Sequence, residues 1–365
     1  MKASVVSSVG GGFDVQDIEL DKPMGCEVLI DVKASGLCHS DLTLARAGIG
    51  YAPPVVLGHE VAGVVIALGE EASEFNPGDH VVASLIQFCG RCVQCLSGHT
   101  HACLQPEATL REDTEPARLR SSGGRVINQG FGLGGFAAQV LAHENQIARV
   151  PKALPFAQAA LLGCGVLTGA GAVLNTAGVR HGETVIIIGA GGVGLSGIGG
   201  AQLAGASRII AIDVADGKLE RARRFGATDV INSRERDPVQ AVRALLPGGA
   251  DYVFDFVGVR AVIEQGLQML AKGGGLYLVG IGDGATSVEL HALSLQLNQN
   301  RIETVYMGSS NLKRDIPFYA EMALAGRFNL AELVSREIAL SQINDGFESL
   351  KDGAIARVVI TDFVN

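Results

Sequence analysis

The chain has 365 residues, 47% of them apolar and 18% charged. That length suits two domains, and that composition fills a packed core and excludes a disordered chain. The net charge of −9 argues against a sequence-independent grip on nucleic acid, which needs a basic face. The 49 glycines are about twice the usual ~7%, but they cluster and do not recur every third residue, which excludes collagen.

The first 150 residues are irregular and strand-like. Short β-prone runs at 28–32, 61–68 and 80–83 are punctuated by Gly and Pro at 10–12, 53–54 and 76–78. Residues 107–125 are polar and charged, and read as a long surface excursion. Two stretches, 154–179 and 184–207, are long enough and poor enough in charge for the ~20-residue membrane rule. Both carry many glycines, and the second opens as a β-branched run, so a buried strand and helix are expected and no membrane span.

From residue 184 strands and helices alternate. Strands are expected at 184–190, 208–214, 229–232, 252–257 and 275–281, with a sixth at 301–307. Helices are expected at 193–205, 215–226, from 237, and at 259–270. This alternation is the pattern of βαβ units and a parallel sheet. The tail holds a helix at 316–325 and a strand at 356–360.

Gly189-Ala190-Gly191-Gly192-Val193-Gly194 is a G-x-G-x-x-G that follows an apolar strand, opens a helix and is followed by an acidic residue, Asp213, at the end of the next strand. Gly189 permits the tight turn, Gly191 lets backbone amides approach a pyrophosphate, and Gly194 lets the helix lie close to the sheet. The helix N-terminus favours phosphate. Asp213 accepts hydrogen bonds from an adenosine ribose diol and repels a 2′-phosphate, so NAD is expected over NADP. Lys218 either reaches the same ribose or phosphate or is a solvated helix charge.

The cysteine count is seven, with four at 89, 92, 95 and 103. Four thiolates on one loop fill a tetrahedral zinc with no open position, which makes such a site structural. The rival is an iron–sulfur cluster, whose common runs place the fourth cysteine differently. Free core thiols fit poorly in a loop with Arg91, Gln94 and Ser97. Cys38, His59 and Cys164 are further candidates, since Cys2His is a ligand set for a zinc with one exchangeable position. Spacing alone does not bring them together. The cysteine usage and the absence of an apolar leader at the N-terminus lead to the expectation of a cytoplasmic protein.

Taken in order, G-L-C-H-S-D at 36–41, L-G-H-E at 57–60, C-G-x-C-x-x-C with its later cysteine at 89–103, G-C-G-x-x-T-G at 163–169, G-A-G-G-V-G at 189–194 and I-A-R-V-V-I at 355–360 resemble the zinc-dependent medium-chain alcohol dehydrogenases. The features are nearest to the benzyl- or aryl-alcohol branch. The resemblance implies an α/β protein. A GroES-like, β-rich catalytic domain would cover 1–165, a doubly wound Rossmann domain 166–308, and a C-terminal segment, 309–365, would return to the first domain. It implies a catalytic zinc on Cys38, His59 and Cys164, with Glu60 as an exchange ligand, and a structural zinc on Cys89, Cys92, Cys95 and Cys103. Asp41 would orient His59, and Ser40 would hydrogen-bond the substrate oxygen. His39 and Arg357 would contact the pyrophosphate. Thr168 and Val193 would flank the nicotinamide, and Gly189, Gly191, Gly192, Gly194, Asp213, Lys218 and Val279 complete the cofactor contacts.

The implied reaction interconverts a primary alcohol, aromatic or bulky and hydrophobic, and its aldehyde with NAD. Two zincs per chain, a homodimer, and no nucleic-acid or membrane partner go with it. Thr43 stands where many relatives carry the last histidine of a proton relay, so the proton must leave by water or another group, with His39 a candidate. Ile49 stands where the glutathione-dependent formaldehyde dehydrogenases use Asp, which disfavours that thiol-dependent alternative. Leu85 replaces an aromatic of several relatives, which leaves room for a ring.

Overall fold

The computed structural model describes residues 1–48, 50–282 and 286–364. The chain divides into two compact units, Met1–Cys164 with Asn311–Asn365, and Gly165–Ser310. The boundaries expected from sequence, 165/166 and 308/309, differ from these by one and two residues.

In the first unit five short strands close a barrel in the order Lys2–Val6, Asp14–Leu20, Leu119–Ser121, Val126–Gln129 and Val55–Val56. A seven-stranded sheet packs with it, centred on β1 (Glu27–Gly36). Helix α1 (His39–Ala47) follows β1 directly, with Cys38 as its N-cap residue and Gly48 closing it in the left-handed conformation. Antiparallel to β1 runs β2 (Glu60–Leu68), in the register Ala34 to Ala62, Ser35 to Val61 and Gly36 to Glu60. The C-terminal strand Arg357–Asp362 lies on the other side of β1, pairing Val359 with Gly36. Apolar side chains from the barrel, the sheet and the C-terminal segment share one core.

Residues 107–125 run mostly exposed, as expected of a surface excursion, but are anchored inward at Thr109, Arg118 and Leu119. Their strand belongs to the barrel, and Arg118 is buried, with Nε 2.7 Å from the Glu27 carboxylate and Nη2 donating to the Thr109 carbonyl at 2.8 Å. Arg111 holds the other Glu27 oxygen at 2.6 Å and Asp21 at 2.5 Å. Charge in this segment is drawn inward because Glu27 is only 4% exposed and a buried carboxylate needs cations around it.

The second unit opens with α2 (Gly165–Gly171), which runs into a π-helical turn, Ala172–Ala177. It then alternates as expected: β3 (Thr184–Ile188), α3 (Gly192–Ala204), β4 (Arg208–Asp213), β5 (Asp229–Asn232), β6 (Ala250–Asp255), β7 (Leu270–Leu278) and β8 (Arg301–Thr304), with further helices between the later strands. All five pairings are parallel. Spatially the strands run β5-β4-β3-β6-β7-β8, the doubly wound order that reverses between β3 and β6. The apolar stretch 184–207 is thus the central strand and the helix behind it. The stretch 154–179 is interrupted between Phe156–Gly163 and Gly165–Ala177, and no single helix among the described residues is long and apolar enough to cross a membrane.

Candidate active site

Strand register assembles the first site. Pairing of Gly36 with Glu60 places Cys38, two residues past the end of one ladder, beside His59, one residue before the start of the other. The third thiol arrives through packing. Val61 pairs with Ala83 in the next strand, and Gly163 lies so close to the Ala83 carbonyl that a Cβ there would collide with it. Its successor, Cys164, is thereby set beside His59. One ligand atom each from Cys38, His59, Glu60 and Cys164 falls within 4.8 Å of every other. Gly36 is needed at its place, since a Cβ would run into the Glu60 carboxylate.

The donors are oriented, and His59 Nε2 and the Glu60 carboxylate are left without partners. His59 Nδ1 lies 3.1 Å from Asp41 Oδ1, an oxygen that also accepts from the Gly58 amide at 3.0 Å. His59 Nε2 and both Glu60 oxygens are buried with no hydrogen-bond partner. Buried polar atoms without partners are costly, and an imidazole nitrogen, two thiols and a carboxylate converging at this distance are the donor set that zinc satisfies.

Electrostatics follow from burial and crowding. The hydrogen bond between Cys164 and Cys38 pulls the Cys38 thiol well below its ordinary value, helped by His59 and Arg357, and pushes Cys164 well above its own. Burial opposes charge on His59, but Asp41 and Cys38 outweigh it and raise its pKa well above 6.5. Burial raises Glu60 to about 7 against the pull of Arg357, whose Nη2 lies 3.8 Å away.

The other candidates of this unit are placed differently. The Ser40 hydroxyl donates to Cys38 Sγ at 3.1 Å. His39 is exposed. The Thr43 hydroxyl is spent on the His39 carbonyl at 3.1 Å. Arg357 is buried and faces Glu60. Leu85 is half-buried, and Ile49 lies outside the described residues. Sequence reading missed two rings. Phe131 stands edge-on to His59 with centroids 5.0 Å apart, and Tyr51 stands edge-on to Phe131 at 5.5 Å. Phe131 has a φ of 57°, rare for a bulky side chain, and no local sequence signal marks it.

A second cluster forms on the loop at 89–103. Its sulfurs are 3.5 Å apart for Cys92 and Cys95, and 4.0 Å for Cys89 and Cys95 and for Cys92 and Cys103. A zinc–sulfur bond of ~2.3 Å gives a tetrahedron edge of ~3.8 Å, so the four thiols fit a zinc. Backbone amides of Cys89 and Gln105 point at Cys103 Sγ, at 3.2 and 3.3 Å, as thiolates require. Amide donors from Leu104 and Cys95 lower Cys92 to about 6, while burial and then Cys92 raise Cys95 to about 12.

In the second unit the G-x-G-x-x-G spans the turn from β3 into α3. Gly189 has a φ of 94°, and a Cβ on Gly194 would collide with the Gly189 carbonyl, so both glycines are required by the backbone. Asp213, buried at the end of β4, accepts from the amides of Ala190 (2.8 Å), Val214 (2.7 Å) and Ala215 (3.2 Å), with Lys218 Nζ at 3.9 Å. Its carboxylate braces the glycine turn, with acceptor capacity to spare. The Val193 carbonyl lies against Gly169, next to Thr168, and Val279 donates its amide to the Asp255 carbonyl at 2.9 Å.

Two family models match, an alcohol dehydrogenase GroES-like domain over residues 25–152 and a zinc-binding dehydrogenase over residues 192–321. The S-(hydroxymethyl)glutathione dehydrogenase of Photobacterium damsela subsp. piscicida is 34% identical over 99% of this chain and 100% of its own length. The NDMA-dependent alcohol dehydrogenase of Amycolatopsis methanolica is 33% identical over 98% of both. The crystal structure of benzyl alcohol dehydrogenase from Acinetobacter calcoaceticus superposes with a TM-score of 0.93 and 33% identity over 99% of both chains. The chain belongs to the zinc-binding medium-chain alcohol dehydrogenase family. Among the three proteins compared, the benzyl alcohol dehydrogenase supports the branch that its motifs resemble.

Proposed function

We propose that this enzyme oxidises a primary, aromatic or bulky hydrophobic alcohol to its aldehyde with NAD⁺, releasing NADH and a proton, and runs the reverse with NADH. The observation that carries this reading is the buried cluster of Cys38, His59, Glu60 and Cys164 with His59 Nε2 left unpartnered. Zinc held by Cys38, His59 and Cys164 supplies a Lewis acid that lowers the pKa of an alcohol hydroxyl, and the nicotinamide supplies the hydride acceptor.

The residues of the chain do the rest. Asp41 fixes the His59 ring so that Nε2 faces the two thiols. Glu60 stands within reach as an exchange ligand. The Ser40 hydroxyl turns from Cys38 Sγ to the substrate oxygen and takes its proton, which leaves by water or through the exposed His39, since Thr43 is committed to a backbone carbonyl. Phe131 offers a ring beside His59, with Tyr51 packed against it, and Leu85 leaves room for a substrate ring. On the second unit Asp213 takes the adenosine ribose, with Lys218 nearby, and the start of α3 takes the pyrophosphate. The Cys89 loop, its thiols kept reduced in a cytoplasmic setting, holds a second, structural zinc. Two copies pair through the outer edge of β8, the edge strand of its sheet.

The second reading is a thiol-dependent formaldehyde dehydrogenase, favoured by the S-(hydroxymethyl)glutathione dehydrogenase relative. Ile49 offers no charge for a glutathione amine, which weighs against it. A panel of benzyl, cinnamyl, allylic and aliphatic alcohols, assayed with NAD⁺ and NADP⁺, with and without glutathione, decides between them. Fast benzyl or cinnamyl turnover with NAD⁺ alone is expected. A requirement for the thiol gives the second reading, and a requirement for NDMA removes free NAD⁺ as the acceptor. Two zincs per protomer are expected. Cys38→Ser abolishes turnover and spares NADH binding, whereas Cys92→Ser loses one zinc and lowers the melting temperature.

A further inference from the structure

Past β8 the backbone of the second unit turns left-handed. Met307, Gly308 and Ser309 have φ of 49°, 62° and 48°. Three successive residues in this region, two with side chains, persist only where the surroundings hold them. The holding element is itself unusual. It is the π-helical turn Ala172–Ala177, a form that recurs at functional positions.

The two elements are joined by side chains. Thr176 Oγ1 lies 2.8 Å from Ser309 Oγ. Asn175 Nδ2 donates to the Gly308 carbonyl at 3.3 Å and to Ser310 Oγ at 3.4 Å. The Ser310 hydroxyl reaches the Leu167 carbonyl at 3.2 Å, and the Thr168 hydroxyl donates to Met307 Sδ at 3.5 Å. The backbones also interlock, since a Cβ on Gly171 would come within 2.6 Å of the Gly308 carbonyl.

The position of this assembly gives it a purpose. The sheet is parallel, so β8 ends at the same edge as β3 and β4, where a doubly wound fold binds its ligand. Helix α2 lies against the first turn of α3, with Gly169 against the Val193 carbonyl and Ser196. A dinucleotide with its adenosine ribose at Asp213 and its pyrophosphate at the start of α3 extends its second half over β6, β7 and β8, toward Thr168 and Met307.

We propose that Asn175 and Thr176 are positioning residues that lock the turn Met307–Ser309 and so set Thr168 and Met307 against the nicotinamide half of the dinucleotide. This rests on the dinucleotide reading above. The test compares NADH with ADP-ribose, which lacks only the nicotinamide, on the full-length protein. Thr176→Val and Asn175→Leu should weaken NADH binding about tenfold, the scale of one or two lost hydrogen bonds, with ADP-ribose affinity unchanged. Thr176→Ser should restore NADH binding. Ser309→Ala removes the same contact from the other side and serves if Thr176→Val fails to fold. Equal losses for both ligands, or no loss for either, overturn the inference. A wild-type protein that binds neither ligand overturns the dinucleotide reading and takes the inference with it.

Discussion

The Nδ1 atom of His59 lies 3.1 Å from the carboxylate of Asp41, and both side chains are fully buried. The carboxylate calls for the proton on Nδ1 and leaves the lone pair on Nε2, the tautomer a metal needs. Asp41→Asn keeps the size and removes the charge. Zinc affinity and kcat are expected to fall about 10- to 100-fold, the scale of lost partners behind a ligand. Zinc content in metal buffers, read beside kcat, checks this; unchanged values in both would refute it.

Gly36 and Glu60 face each other across the ladder, and a Cβ on Gly36 would strike the Glu60 carboxylate. Gly36→Ala is expected to destabilise by about 1–3 kcal/mol, as overpacking does, and to lower kcat by shifting Glu60. Truncating the other side should relieve the clash. The double variant Gly36→Ala with Glu60→Ala should therefore be more stable than the sum of the single losses predicts. Strict additivity in thermal melts would disprove the contact.

Glu27 ties β1 to Arg111 and Arg118. Burial opposes its charge, but the Arg111 hydrogen bond and the charge of Arg118 outweigh it and hold the carboxyl below its ordinary 4.5. A lowered folded-state pKa gives stability that is complete above the unfolded value and is lost as pH falls through the folded one. Glu27→Gln should cost about 3–5 kcal/mol at neutral pH, because buried Arg118 loses its anion and Arg111 keeps only Asp21. The gap in melting temperature between wild type and variant should close as pH drops below 4.5. A gap independent of pH would show that the charge is irrelevant.

Asp213 braces the glycine turn through three amides, so removing the whole side chain would confuse structure with specificity. Asp213→Asn keeps an acceptor and removes the charge. The ratio of NADH to NADPH affinity, proposed to favour NADH, should fall about 10- to 100-fold, the worth of a charge-assisted hydrogen bond of ~1.5–3 kcal/mol. Paired affinities for the two cofactors measure it, and an unchanged ratio would remove Asp213 as the discriminator.

Local pattern made the second unit legible. Alternating apolar strands and amphipathic helices, and glycines at spacings that one turn demands, are short-range signals, and β3, α3 and β4 lie within two residues of their expected ends. The four cysteines on one loop are equally local. Cys38, His59 and Cys164 are candidates by residue type, but only motif resemblance joins them into one site, because their meeting depends on the Gly36–Glu60 register and on Gly163 seated against Ala83, contacts between residues far apart in the chain. The same holds for Arg111 and Arg118, whose charges look solvated until the barrel closes around Glu27, and for Phe131 and Met307, whose left-handed backbones no residue type announces. Periodicity and turn chemistry are written in neighbouring residues; burial, and the partners a buried charge or donor must find, exist only once distant segments have packed.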